Sequence, residues 1–208
     1  MGEKAIYFLF TDTGTYLSRL INYVTKQPLN HVSLAFEPEL NEVYSFGRKR
    51  PRNPFIGGFV KEDIKSDFLK NSACAVYSYQ LSESDWYKVK ERIKEIEKQK
   101  SNYKYNFLGL FGVFLQVEIN REDALFCSQF VATVLNGIES LQFNKPIHFI
   151  TPADIRNHCG LQLLYQGPLH CYQEAMETGQ TYKKTNAEIT KDSFIFLITK
   201  KVKQLVIR

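Results

Sequence analysis

The chain is predicted to fold as an α+β domain built on a largely antiparallel sheet. Three observations carry this. Short runs rich in aromatic and β-branched residues recur along the whole length, as strands do. Two of these runs are spaced for a hairpin. Helical patterns lie between the strands without the regular βαβ alternation that a parallel sheet requires. The 208 residues suit one domain, 1–208, and an apolar share of 44%, with 16 Phe and 12 Tyr, supplies a sizeable core.

Lys4–Phe10 reads as the first strand. Thr11-Asp12-Thr13-Gly14-Thr15 offers turn and capping chemistry, and Leu17, Leu20, Ile21 and Val24 mark one face of a short helix that Pro28 ends. Val32–Phe36 and Glu42–Phe46 form a hairpin across Glu37–Asn41. Gly47–Gly58, rich in Pro, Gly and cations, reads as a loop. Ala73–Gln80 is another strand. Ser82, with Asp85 three residues on, opens a helix. Trp86, Val89, Ile93 and Ile96 share one of its faces, while Lys and Glu cover the other. Phe107–Gln116 is apolar and punctuated by Gly. Cys127 begins a helix whose apolar face continues through Val131, Val134, Leu135 and Ile138. Thr151-Pro152-Ala153-Asp154 starts a helix with Pro at its first position. Leu161–Gln166, Ser193–Thr199 and Val202–Ile207 close the chain as strands.

The formal charge of +5 gathers partly in Arg48-Lys49-Arg50-Pro51-Arg52 and partly in Lys200-Lys201-Val202-Lys203. Such runs are ordinarily solvated. They are not interleaved with aromatics in a binding motif, so no nucleic-acid partner is expected. The Arg48–Arg52 run follows the Asn30–Phe46 hairpin region directly, which makes it a candidate rim favouring acidic substrates. No stretch reaches the ~18 apolar residues of a membrane helix. Ala5–Phe10 lacks the long apolar core and cleavage site of a secretory leader. The expectation is a cytoplasmic protein without stable membrane insertion, with four cysteine thiols. His158-Cys159 and His170-Cys171 lack the spacing of ligand pairs, so neither a metal nor another cofactor is expected. The sequence leaves the oligomeric state open.

The chemistry rests on Phe126-Cys127-Ser128-Gln129-Phe130-Val131-Ala132 and Asn30-His31-Val32-Ser33-Leu34-Ala35-Phe36. Taken singly, a helix cysteine is usually a packing residue, and a strand histidine a satisfied, half-buried one. Taken together, they are the parts of a cysteine nucleophile site. A thiol at a helix start faces backbone N–H groups that have no intrahelical acceptor, which favours the thiolate and can hold an oxyanion. His31 would partner the thiolate and then act as general acid. Gln129, two residues into the helix, points elsewhere, so the oxyanion role falls to the backbone of Cys127. If Glu37–Asn41 is the loop, Ser33 faces Ser45, and His31, Ser33, Ala35, Val43, Ser45 and Gly47 share a sheet face. Ser45 is then the third-residue candidate, with Glu37 as the alternative if the loop folds back. Tyr7 and Tyr44 are candidates for substrate binding, although in a chain with 12 Tyr each reads equally well as packing.

These residues, with the Thr15–Thr25 helix, Tyr44-Ser45-Phe46-Gly47, Tyr105-Asn106 and Thr151-Pro152-Ala153-Asp154, resemble the circularly permuted papain-like enzymes of the YiiX/YaeF type. That group lies in the NlpC-type superfamily and is related to the lecithin–retinol acyltransferases. The resemblance runs from Lys4 to Tyr172. It implies a small, partly barrel-like antiparallel sheet with the cysteine helix packed against it. It also implies Cys127 as nucleophile and His31 as base. The family often places a polar residue, commonly Glu or another His, on the strand after the histidine, where this chain offers Ser45. Three activities stay open. The first is a hydrolase acting on a small-molecule or peptide amide through an acyl-enzyme. The second is an acyltransferase with Phe107–Val117 as a lipid groove. The third is a binding module with an inactive dyad.

Overall fold

The computed structural model describes residues 2–14, 19, 22–23, 27–50, 53–100, 104–105 and 124–178. The elements are β1 (Glu3–Asp12), β2 (His31–Ala35), β3 (Val43–Arg50), β4 (Asn53–Lys61), β5 (Ala73–Ser82), α1 (Glu83–Lys98), β6 (Lys104–Tyr105), β7 (Ala124–Leu125), α2 (Cys127–Leu135), α3 (Pro152–Arg156), β8 (Gln162–Pro168) and α4 (Leu169–Thr178). Six strands form one sheet in the order β4-β3-β2-β1-β5-β8, each neighbour antiparallel, and β6 and β7 make a short parallel pair. The class is α+β, as the mixed pattern predicts.

Period-two alternation gives the sheet two apolar faces. Ile6, Phe8, Phe10, Val32, Leu34 and Phe46 belong to one cluster, which α1 and α2 cover. Leu9, Ala35, Val43 and Val76 belong to the other, closed by Ile64, Leu69 and the α4 residues Leu169 and Tyr172. α1 is the helix its periodicity predicts. Ser82 Oγ accepts from Asp85 N at 3.1 Å, and Val89, Ile93 and Ile96 are buried. Each fully buried side chain of this size contributes about 1.5–3 kcal/mol.

Three local expectations need correction. Gly47–Gly58 is not a loop: β3 runs on to Arg50, and β4 returns with Gly47 paired to Gly58. Among the described residues β4 is the outer strand of the sheet, and an outer strand tolerates proline such as Pro54 because its outward backbone groups need no ladder partner. α2 stops at Leu135, one turn before Ile138, because Gly137 adopts φ 73°. Ile138 is buried nonetheless. The sequence reading also omits α4, in which only Leu169 and Tyr172 are buried. Arg19, Asn22 and Tyr23 are helical, but Leu17, Leu20, Ile21 and Val24 lie outside the described residues. So do Pro51, Arg52, Phe107–Val117, Ser193–Thr199 and Lys200–Ile207. Among the described residues, no helix is long and apolar enough to cross a membrane.

Candidate active site

Cys127 is the first residue of α2. The preceding Phe126 is extended (φ −112°, ψ 171°) and gives no side-chain cap, so its own side chain leaves the donors of the first turn unused. Three and four residues on, Phe130 and Val131 lie on the same helical face as the cysteine. Phe130 anchors the helix by packing against Phe46 of β3 and Phe59 of β4, at ring separations of 5.3 and 5.9 Å. Ser128 Oγ donates to the Ile150 carbonyl at 2.6 Å and ties the start of α2 to the segment that enters α3.

His31 opens β2, at the point where the chain leaves an unusual turn. Leu29 is buried and takes φ 58°, a conformation that costs a residue with a β-carbon about 1–2 kcal/mol. Asn30 Nδ2 donates to Asn22 Oδ1 at 2.7 Å, and Asn22 Nδ2 donates to Asp12 Oδ2 at 3.0 Å, linking this turn to the end of β1. The β2–β3 ladder covers Leu34–Tyr44 and Ala35–Val43. Continued, that register sets Ser33 beside Ser45 and His31 beside Gly47, as the hairpin reading predicts. A β-carbon at Gly47 would lie 3.6 Å from His31 Cε1, so only a small residue leaves the ring its room.

The structure brings Cys127 beside His31, where the thiol helps to hold the ring in its charged form. His31 Nε2 also reaches Glu62 Oε1 at 2.5 Å. Glu62 follows β4 directly and is anchored by its backbone N–H, which donates to the Val43 carbonyl at 2.8 Å. Ser33 Oγ donates to Glu62 Oε2 at 2.8 Å. Ser45 Oγ donates to the Val32 carbonyl at 3.1 Å, and the hydroxyls of Ser33 and Ser45 each lie 3.4 Å from Nε2. Each ring nitrogen has one in-plane site. Glu62 occupies that of Nε2, which leaves Nδ1 for the thiol. Burial opposes charge on the ring, but the Glu62 carboxylate and Cys127 outweigh it and raise the His31 pKa to about 10. The ring is therefore an imidazolium at neutral pH.

Ser45 thus stands at the ring, but the close partner of the ring is Glu62, which the loop reading of Gly47–Gly58 concealed. The signal was Phe59-Val60-Lys61, a short β-type run just before the glutamate. The other candidates lie elsewhere. Glu37 sits in the β2–β3 turn and accepts from Asn41 Nδ2 at 3.1 Å. Tyr7 pairs with Ala35, four positions along β1 from the residue opposite His31, which is roughly 13 Å by strand rise. Tyr44 packs in the turn-side core, and its hydroxyl donates to Glu42 Oε2 at 2.7 Å. The structure does not bring Glu37, Tyr7 or Tyr44 to the Cys127–His31 pair. The lipid groove expected over Phe107–Val117 lies outside the described residues.

Compared with known proteins, the chain matches no family model, no curated protein and no solved structure.

None of the four cysteines forms a disulfide. Cys74 is buried beside β8, and burial pushes its thiol up to about 12. Cys159 is exposed, and His158 packs edge-on to Tyr79 and Phe143. Among the described residues, no group of three or more His, Cys, Asp or Glu side chains could hold a metal ion. The arrangement can supply a sulfur nucleophile, an adjacent proton donor, a carboxylate behind that donor and the backbone donors of a helix start beside the sulfur.

Proposed function

We propose that the protein is a cysteine hydrolase of the permuted papain-like kind, acting on an amide or peptide bond. The single observation carrying this reading is that the first side chain of α2 lies beside a half-buried histidine whose Nε2 is bonded to a carboxylate. The chain order, histidine strand before cysteine helix, agrees with the resemblance carried by the motifs.

In this reading Cys127 Sγ attacks the carbonyl carbon, and the carbonyl oxygen gathers charge against the backbone N–H groups at the start of α2. His31 passes its proton to the departing amine, and the C–N bond breaks to leave a thioester on Cys127. A water molecule then gives a proton to His31 and attacks the thioester, releasing the acid and returning the sulfur and the protonated ring to their starting state. Glu62 keeps the ring oriented and stabilises its charged form.

A peptide-amide warhead that alkylates thiols tests the assignment by intact mass. We expect one adduct on the wild-type protein at Cys127 and none on Cys127→Ala. Equal labelling of the variant, through one of the other three thiols, would overturn it. Adding a primary amine during turnover of an activated ester separates hydrolysis from acyl transfer by the product formed.

A further inference from the structure

We infer that Ser33 is a positioning residue for the Cys127–His31 pair, acting through Glu62; this rests on the reading just given. A serine hydroxyl has a single proton to donate. In Ser33 that proton goes to Glu62 Oε2 at 2.8 Å, and in Ser45 it goes to the Val32 carbonyl at 3.1 Å. With their protons committed, both hydroxyl oxygens can only accept where they approach His31 Nε2. Glu62 Oε1 is an acceptor as well. Nε2 therefore faces three acceptors and keeps its proton, so Nδ1 is the nitrogen that exchanges a proton with Cys127.

The two serines differ in what they hold. Ser45 is tied to the backbone of β2 and leaves the carboxylate untouched. Ser33 is fully buried, two residues from His31 on the same strand face, and it grips the carboxylate oxygen that the ring does not use. Among the described residues, His31 and Ser33 are the side chains that hydrogen-bond the Glu62 carboxylate, so without that grip its rotation rests on the bond from His31. Ser33 thereby fixes the plane in which Glu62 meets the ring.

Nitrogen-15 NMR of the His31 imidazole, recorded in a Cys127→Ala background, tests this without any substrate. The midpoint of ring titration should fall in Ser33→Ala by about one unit, a tenfold change in proton affinity. It should fall in Glu62→Gln as well. Adding Ser33→Ala to Glu62→Gln should lower it much less than Ser33→Ala does alone, because the serine acts mainly through the carboxylate and its direct approach to the ring is long, 3.4 Å. Ser45→Ala should leave the midpoint near its parent value. The inference is overturned if Ser33→Ala leaves the midpoint in place, or lowers it equally with and without Glu62. Either result would leave the nucleophile assignment standing, because that depends on labelling at Cys127.

Discussion

His31 owes its charge to its neighbours. Its side chain is only 17% exposed, and burial alone would strip the proton. The facing carboxylate and thiol reverse this, and the ring pKa rises to about 10 from 6.5. A histidine raised in the folded state stabilises the fold fully below its unfolded pKa and loses that contribution as pH climbs through the folded value. The wild-type unfolding midpoint should therefore fall between about pH 6.5 and 10. In Glu62→Gln the fall should be smaller, which paired denaturation curves at several pH values would check. The same variant should slow acylation of Cys127 by about 10- to 100-fold, since the ring loses the group that orients it. An unchanged acylation rate would remove Glu62 from the mechanism. Much of this site was readable in the residues. Cys127 and His31 stand out by type and context, and Ser45 follows from counting positions across a five-residue turn. Glu62 did not stand out, because prolines, glycines and cations hide a strand that lies at the edge of its sheet.

The helix that presents the thiol is finished unequally at its two ends. At the C-terminal end, Arg92 from α1 donates through Nη1 to the Val134 carbonyl at 3.0 Å and to the Asn136 carbonyl at 2.5 Å. A cation there satisfies exposed carbonyls and opposes the negative end of the helix dipole. Gly137 then turns the chain out of the helix. At the N-terminal end the capping position, Phe126, gives no side-chain bond to the donors beside Cys127. Arg92→Ala should lower stability by about 1–2 kcal/mol, read from chemical denaturation. The Cys127 adduct should still form, because the variant acts at the end away from the thiol. Helix starts were the most legible features of this sequence. Ser82 and Thr151 both act as caps, and Thr151 with Asp154 forms a complete reciprocal capping box. Helix ends were less legible, since an apolar residue such as Ile138 keeps its place in the core after the helix has stopped.

At the scale of the molecule, the nucleophile and its base are held in register by a relay of short contacts. Ser128 ties α2 to Ile150, the residue before the capping box of α3. Arg156 at the end of α3 donates through Nη1 to the Pro28 carbonyl at 3.1 Å and through Nη2 to Gln27 Oε1 at 3.0 Å. Pro28 stands three residues before His31, so this path joins the cysteine helix to the histidine strand without crossing the sheet. Arg156→Ala should slow Cys127 acylation by about tenfold, because a small displacement of reacting groups is costly. Its unfolding midpoint should shift little, as expected for a partly exposed contact. A full-speed variant would show that the relay carries no positional information. Cys127, His31 and Glu62 lie far apart along the chain, and no short peptide contains any two of them. The reacting ensemble is thus a product of folding as a whole: a nicked or truncated chain that sheds any one of these three segments has no partial form of the chemistry to fall back on.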